Sequence, residues 1–102
     1  VREDKWQGFL HIIERLRGEG GCPWDREQTH ESLKRNLLEE SYELLDAIDE
    51  RRDDKLCDEL GDVLLQVVFH AQIAKEEGRF GIDDVLDAVT AKMIRRHPHV
   101  FA

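Results

Sequence analysis

Five carboxylates fall in two short acidic signatures, Glu39-Glu40-Ser41-Tyr42-Glu43 and Glu59-Leu60-Gly61-Asp62. Within each, Glu40 pairs with Glu43 and Glu59 with Asp62 at a spacing of three, which on a helix makes neighbours on one face. An all-oxygen set without His or Cys suits a hard divalent cation, Mg²⁺ with Mn²⁺ as a substitute, and argues against Zn²⁺. Hard cations of this kind work on phosphates, so phosphate chemistry is the expected activity.

These pairs must be held by helices, because apolar residues along the chain recur at three and four rather than at two. Only Val67-Val68-Phe69 is β-prone, and it lies inside a longer helical pattern. The fold class is all-α, a small bundle of about four helices. The first helix is predicted over Lys5 to Arg17, ended by Gly18 to Gly21 and followed by a loop, Gly20 to Asp25. A second runs from near Thr29, a good N-cap residue, to Arg51. Asp53 or Asp54 caps a third, which ends at Gly78, and a fourth spans Ile82 to Arg96 until Pro98 stops it.

At about 100° per residue, with Leu37 as the apolar centre of the second helix, Glu40 and Glu43 fall on one flank, and Glu39, Asp46 and Glu50 fall opposite. With Leu60 as the centre of the third helix, Glu59 and Asp62 share a flank and Asp58 lies opposite. If the two helices pack antiparallel, the flanks meet. Carboxylates gathered that closely repel one another unless a cation sits between them. The competing reading is an ordinary solvated surface, since a chain with 23 acidic residues produces some such pairs by chance.

The 102 residues suit one domain, and so small a chain buries a sizeable core only with help, so association into a dimer or tetramer is expected. A net charge of −8 disfavours a nucleic-acid partner. Cys22 and Cys57 are too few for a disulfide framework and lack zinc-site spacing, Cys57 being expected in the core. With so few cysteines a reducing cytoplasm is expected, no run is long enough for a membrane span, and nothing at the N-terminus resembles a signal peptide. The start at Val1 suggests a piece of a longer chain.

Other residues carry weaker signals. Trp24 offers either a stacking surface for a nucleobase or a hydrophobic plug over the helix ends. Lys34, Arg35, Lys55, Lys92, Arg95 and Arg96 supply positive charge for a triphosphate, or else surface ion pairs with the many acids. Asn36, one turn before Glu40, is a candidate sugar or phosphate contact. Glu27 and His30 have the spacing of half a di-iron site, but that motif is needed twice and occurs once. His70 reads as a partly buried structural residue, His11 as a surface one, and His97 and His99 as a turn that packs or hydrogen-bonds around Pro98.

Taken with Gly21-Cys22-Pro23-Trp24-Asp25, Gln28-Thr29 and Arg96-His97-Pro98-His99-Val100-Phe101, the two signatures Glu39-Glu40-x-x-Glu43 and Glu59-x-x-Asp62 give a chain that resembles the MazG family. The likeness is to the N-terminal domain of its two-domain members and covers nearly all of residues 1–102. It implies hydrolysis of nucleoside triphosphates to monophosphate and pyrophosphate, with Mg²⁺ held by Glu40, Glu43, Glu59 and Asp62. Glu40 or Glu43 would then take the proton. Glu39 could approach a further metal or the attacking water, although the helical wheel turns it away. Substrate contacts are expected from Asn36, from Lys55 to Asp58, from Lys92, Arg95 and Arg96, and from Trp24. The family's Asn-x-Lys-Phe pattern is replaced here by Thr90-Ala91-Lys92-Met93. The resemblance also leaves a second reading, in which this copy is a dimerisation or regulatory module and another domain does the chemistry.

Overall fold

The computed structural model describes residues 4–102. Six helices follow one another: α1 (Lys5–Arg17), α2 (Pro23–Glu27), α3 (Lys34–Glu50), α4 (Asp53–Glu76), α5 (Ile82–Arg96) and α6 (Pro98–Phe101). No strand forms among the described residues, so the all-α expectation holds, with four long helices and two short ones.

α1 begins where the Asp4 side chain accepts a hydrogen bond from the Gln7 amide at 2.7 Å, satisfying one of the free donors of the first turn. It ends at Gly18, and the chain then doubles back so tightly that the Cys22 amide reaches the Leu16 carbonyl at 2.8 Å. A Cβ on Gly21 would sit 2.3 Å from that carbonyl oxygen, so the turn requires glycine there. Part of the expected loop is helical instead. Pro23 occupies the first turn of α2, where its missing N–H and fixed φ suit a helix start.

α3 starts later than the position of Thr29 implied. Thr29 and Ser32 exchange side-chain to backbone hydrogen bonds at 2.8 and 3.1 Å and cap a separate turn, after which the regular helix begins at Lys34. Arg51, at φ 55°, closes α3 in the left-handed region. Arg52 then precedes α4 without a side-chain cap, so Asp53 and Asp54 are not caps but first-turn residues facing the positive end of the helix dipole. Gly78, at φ 70°, ends α4, and Pro98 both stops α5 and opens α6.

The core gathers Ile13 of α1, Leu33 beside α3, and Val68, Phe69 and Ile73 of α4, with Trp6, Phe9, Leu10, Leu16, Leu65 and Ile82 packed around them. Arg17 clamps this end. Its side chain is almost fully buried and donates to Glu76 at 2.9 to 3.3 Å and to the Asp25 and Gln28 carbonyls, with the guanidinium 5.2 Å from the centre of the Phe69 ring. One side chain thereby joins α1, α2 and α4. A buried guanidinium is tolerable because nearly all its donors are used.

The other end is open. α5 packs on α4 and α6 but not on α3, and none of its residues is buried. Leu38, Tyr42, Leu45 and Ile48 of α3, Leu60 and Leu64 of α4, and Val89, Met93 and Ile94 of α5 are all exposed. The accessible surface is 8082 Å² for 11.9 kDa, whereas a compact monomer of that mass exposes about 5900 Å². The radius of gyration is 15.9 Å, against about 13 Å for a compact domain of this length.

Candidate metal centre

α3 and α4 form the most extensive helix pair in the chain and run antiparallel across a tight connection at Arg51 and Arg52. The face of α3 turned to α4 carries Glu40, Leu44 and buried Ala47, following buried Leu33; the matching face of α4 carries Glu59, Asp62, Val63, Gln66, Phe69 and Ile73. This corrects both apolar centres. Leu37 is 38% and Leu60 51% exposed, so the packed face of α3 is centred near Glu40 rather than Leu37, a rotation of about 60°. The carboxylates are therefore within the helix interface, not beside it.

Glu40, Glu43, Glu59 and Asp62 converge, each offering an oxygen within 4.8 Å of the others. Along the antiparallel pair, Glu40 faces Asp62 and Glu43 faces Glu59. One oxygen of Glu40 and one of Glu59 are buried without a hydrogen-bond partner. Partial burial, followed by the negative charges of Asp62, Glu43 and Glu59, raises the pKa of Glu40 above its ordinary value. Burial and the charges of Glu43, Asp62 and Asp58 raise that of Glu59. Acids held together in this way are electrostatically unsatisfied. Their all-oxygen donor set and orphaned buried oxygens fit a hard divalent cation.

A cleft of about 330 Å³ adjoins the cluster, lined by Glu43, Asp46, Ala47, Glu50, Lys55 and Glu59. Lys55 stands at its edge and binds Glu50 at 2.8 Å. Asn36 lines a separate cavity one turn from Glu40. Glu39 points outward and pairs with Arg35 at 3.2 Å, as the wheel indicated, and Asp58 is exposed.

The remaining candidates lie elsewhere. Lys92, Arg95 and Arg96 are exposed on α5, which does not touch α3, and they form no ion pair with another described residue. Trp24 is 74% exposed on α2, so it is not a plug. Cys57 is exposed rather than in the core. Glu27 ends α2 while His30 sits in the following turn, off the helix that a di-iron half-site needs. His30 stacks on His70 with their Nδ1 atoms 2.7 Å apart, a structural pairing of the expected kind, and His97 Nδ1 donates to the Met93 carbonyl at 2.6 Å. His11 is exposed. Two residues escaped the sequence reading, Arg17 and Gln66. An Arg in the last turn of a helix and a Gln among apolar residues are both unremarkable in sequence.

An all-α hairpin thus gathers four acids in its interface, next to an open cleft, an arrangement that could hold a metal ion. Residues 28–101 match the family model described as the MazG nucleotide pyrophosphohydrolase domain, and the chain belongs to the MazG family. It is 62% identical over 96 residues to the nucleoside triphosphate pyrophosphohydrolase/pyrophosphatase MazG of Thermotoga maritima, covering 94% of this chain and 38% of that protein. It is 61% identical to the YabN protein of Bacillus subtilis, covering 99% of this chain and 22% of that one. With the nucleoside triphosphate pyrophosphohydrolase of Escherichia coli K12 it shares 56% identity, over 92% of this chain and 36% of the relative. The chain thus spans no more than about two fifths of the length of these relatives. No helix among the described residues is long and apolar enough to cross a membrane.

Proposed function

We propose that this chain is a Mg²⁺-dependent nucleoside triphosphate pyrophosphohydrolase domain, converting a nucleoside triphosphate and water to the monophosphate and pyrophosphate. The convergence of Glu40, Glu43, Glu59 and Asp62 carries the reading. The pyrophosphohydrolase names of the Thermotoga maritima and Escherichia coli relatives support the reaction class. The four carboxylates are intact, which favours catalysis over a purely regulatory module.

Glu40, Glu43, Glu59 and Asp62 would hold Mg²⁺, which when bound neutralises polyphosphate charge and acidifies water. Glu40 or Glu43 serves as proton acceptor. Water oxygen attacks the α-phosphorus, its proton passes to that carboxylate, and the bond to the bridging oxygen breaks as pyrophosphate leaves. Lys55 stands on the side where pyrophosphate would depart, and its ammonium offsets negative charge there.

Self-association into a dimer or tetramer belongs to the same proposal. The surface in excess of a compact monomer and the exposed stripe Leu60, Leu64 and Val67 on α4 support it. Sedimentation of the chain is expected to give a multiple of 11.9 kDa, and Leu64→Lys to lower it; a strictly monomeric wild-type chain removes this part.

The deciding experiment measures pyrophosphate released from a panel of triphosphates with Mg²⁺. Release above that of the Glu40→Ala, Glu59→Ala double variant is expected. Equal release by both proteins would overturn the assignment.

A further inference from the structure

Gln66 is a buried polar side chain that neither the core nor the carboxylate cluster uses. It is 8% exposed, and its Oε1 is buried without a hydrogen-bond partner. Turning the carboxamide over would strand its nitrogen in the same place, so one polar group goes unpaired in either orientation. Such a group is unfavourable unless something completes it. The side chain lines a cavity of about 160 Å³ together with Asn36, Asp25, Gln28 and the apolar side chains of Leu33, Leu65 and Phe69.

The position of this cavity is informative. Asn36 precedes Glu40 by one turn of α3 and Gln66 follows Asp62 by one turn of α4, so in the antiparallel pair they form the next rung of the same ladder. One turn is about 5.4 Å, the span that a pentose puts between a base and its phosphate. The opposite end of the groove is the cleft bearing Lys55. No cationic side chain lines the Gln66 cavity, so it does not suit a phosphate. Its apolar walls suit the faces of a flat ring, and the carboxamides of Asn36 and Gln66, each with donor and acceptor side by side, suit a heterocycle's edge.

We propose that the Asn36 and Gln66 cavity receives the nucleobase of the substrate, with Gln66 the specificity-determining residue, and that the polyphosphate runs from there over the four carboxylates toward Lys55. The assignment rests on the pyrophosphohydrolase reading and gives the substrate a direction along the groove.

Calorimetry on the whole chain with Mg²⁺ tests it, using inorganic tripolyphosphate and the α,β-methylene analogues of ATP, GTP, CTP and UTP as probes. The wild-type protein is expected to rank the four bases and to bind the preferred analogue more tightly than tripolyphosphate. Gln66→Met and Asn36→Ala are each expected to weaken that analogue roughly 3- to 10-fold, to flatten the ranking, and to leave tripolyphosphate affinity unchanged. An unaltered ranking, an equal loss for tripolyphosphate, or sensitivity only to the 2′-hydroxyl in deoxy analogues would overturn the assignment. If Gln66→Met does not fold, the exposed Asn36 decides through its own variant. Tripolyphosphate binding that ignores Glu59→Ala would instead strike down the metal-centre reading, and the base assignment with it.

Discussion

At the C-terminal end of α4, Glu76 meets the guanidinium of Arg17, accepts a further hydrogen bond from Gln72 at 3.2 Å, and has its pKa lowered, chiefly by the Arg17 contact. Toward the N-terminal end of the same helix, Glu59 meets Glu43 and Asp62, keeps a buried oxygen without a partner, and has its pKa raised. The first carboxylate is satisfied inside the fold and the second is not. Folding alone gives no reason to collect four acids in a helix interface, and under the proposed function a bound cation would complete them. The buried clamp lies at the Arg17 end, and the proposed chemistry at the Glu59 end.

The largest effect that would break this comparison comes from the unsatisfied end. The Glu40→Ala, Glu59→Ala double variant is expected to lose Mg²⁺ binding by calorimetry and to fall to background in pyrophosphate release. Without metal, its thermal midpoint is expected to equal or exceed that of the wild type, because two repelling charges are gone. A marked fall in metal-free stability would show that these acids hold the fold together, and the distinction between the two ends would collapse.

Next in size is the satisfied end. Arg17→Met retains much of the aliphatic stem but leaves Glu76 and the Asp25 and Gln28 carbonyls without their donor. Glu76 itself is exposed, so the loss comes mainly from the stranded carbonyls and is expected at about 1–3 kcal/mol, to be read from urea denaturation. Mg²⁺ affinity is expected to change little, since the clamp lies at the other end of α4.

A pH series separates the ends by sign. Glu76 has a folded pKa below 4.5, so its charge adds stability that is present above 4.5 and lost as pH falls through the folded value. Glu76→Gln is therefore expected to be less stable than the wild type at neutral pH, with the gap closing in acid. Glu59 has a folded pKa above 4.5, so the folded state binds its proton more tightly, and stability falls as pH rises through that value. Metal-free Glu59→Gln is expected to be more stable than the wild type at neutral pH, and this gap also closes as pH falls. Melting curves across pH 3 to 8, read as differences from the wild type, check both signs; the same sign for both variants would refute the contrast.

Much of this was legible in sequence, and the exceptions have physical reasons. The bounds of α1 and α5 followed from glycine, proline and apolar spacing, and the four acids from a spacing of three on each helix. The wheel centres failed because Leu37 and Leu60 carry a strong apolar pattern yet are not buried within one copy of the chain. Hydrophobicity records every face that avoids water, including one that other surfaces are free to cover. Thr29 misled because a capping residue stops one turn as readily as it starts a long helix. Arg17 and Gln66 were invisible because their roles depend on neighbours distant in sequence: the clamp reaches Glu76, and the Gln66 cavity reaches back to Asp25.

The smallest effect sharpens the comparison within a single motif. Glu39 and Glu40 are adjacent, yet Glu40 lies in the interface and Glu39 pairs with Arg35 in solvent. An exposed pair at this helical spacing is worth about 0.3–0.5 kcal/mol and weakens with salt. Glu39→Gln is expected to lower stability by no more than that and to leave Mg²⁺ affinity within about twofold of the wild type, while Glu40→Gln weakens it strongly. Paired calorimetry of the two variants makes the measurement. A comparable loss of Mg²⁺ affinity in both would mean that Glu39 leaves Arg35 and turns inward when the centre fills, making the exposed pair a resting position for a fifth carboxylate.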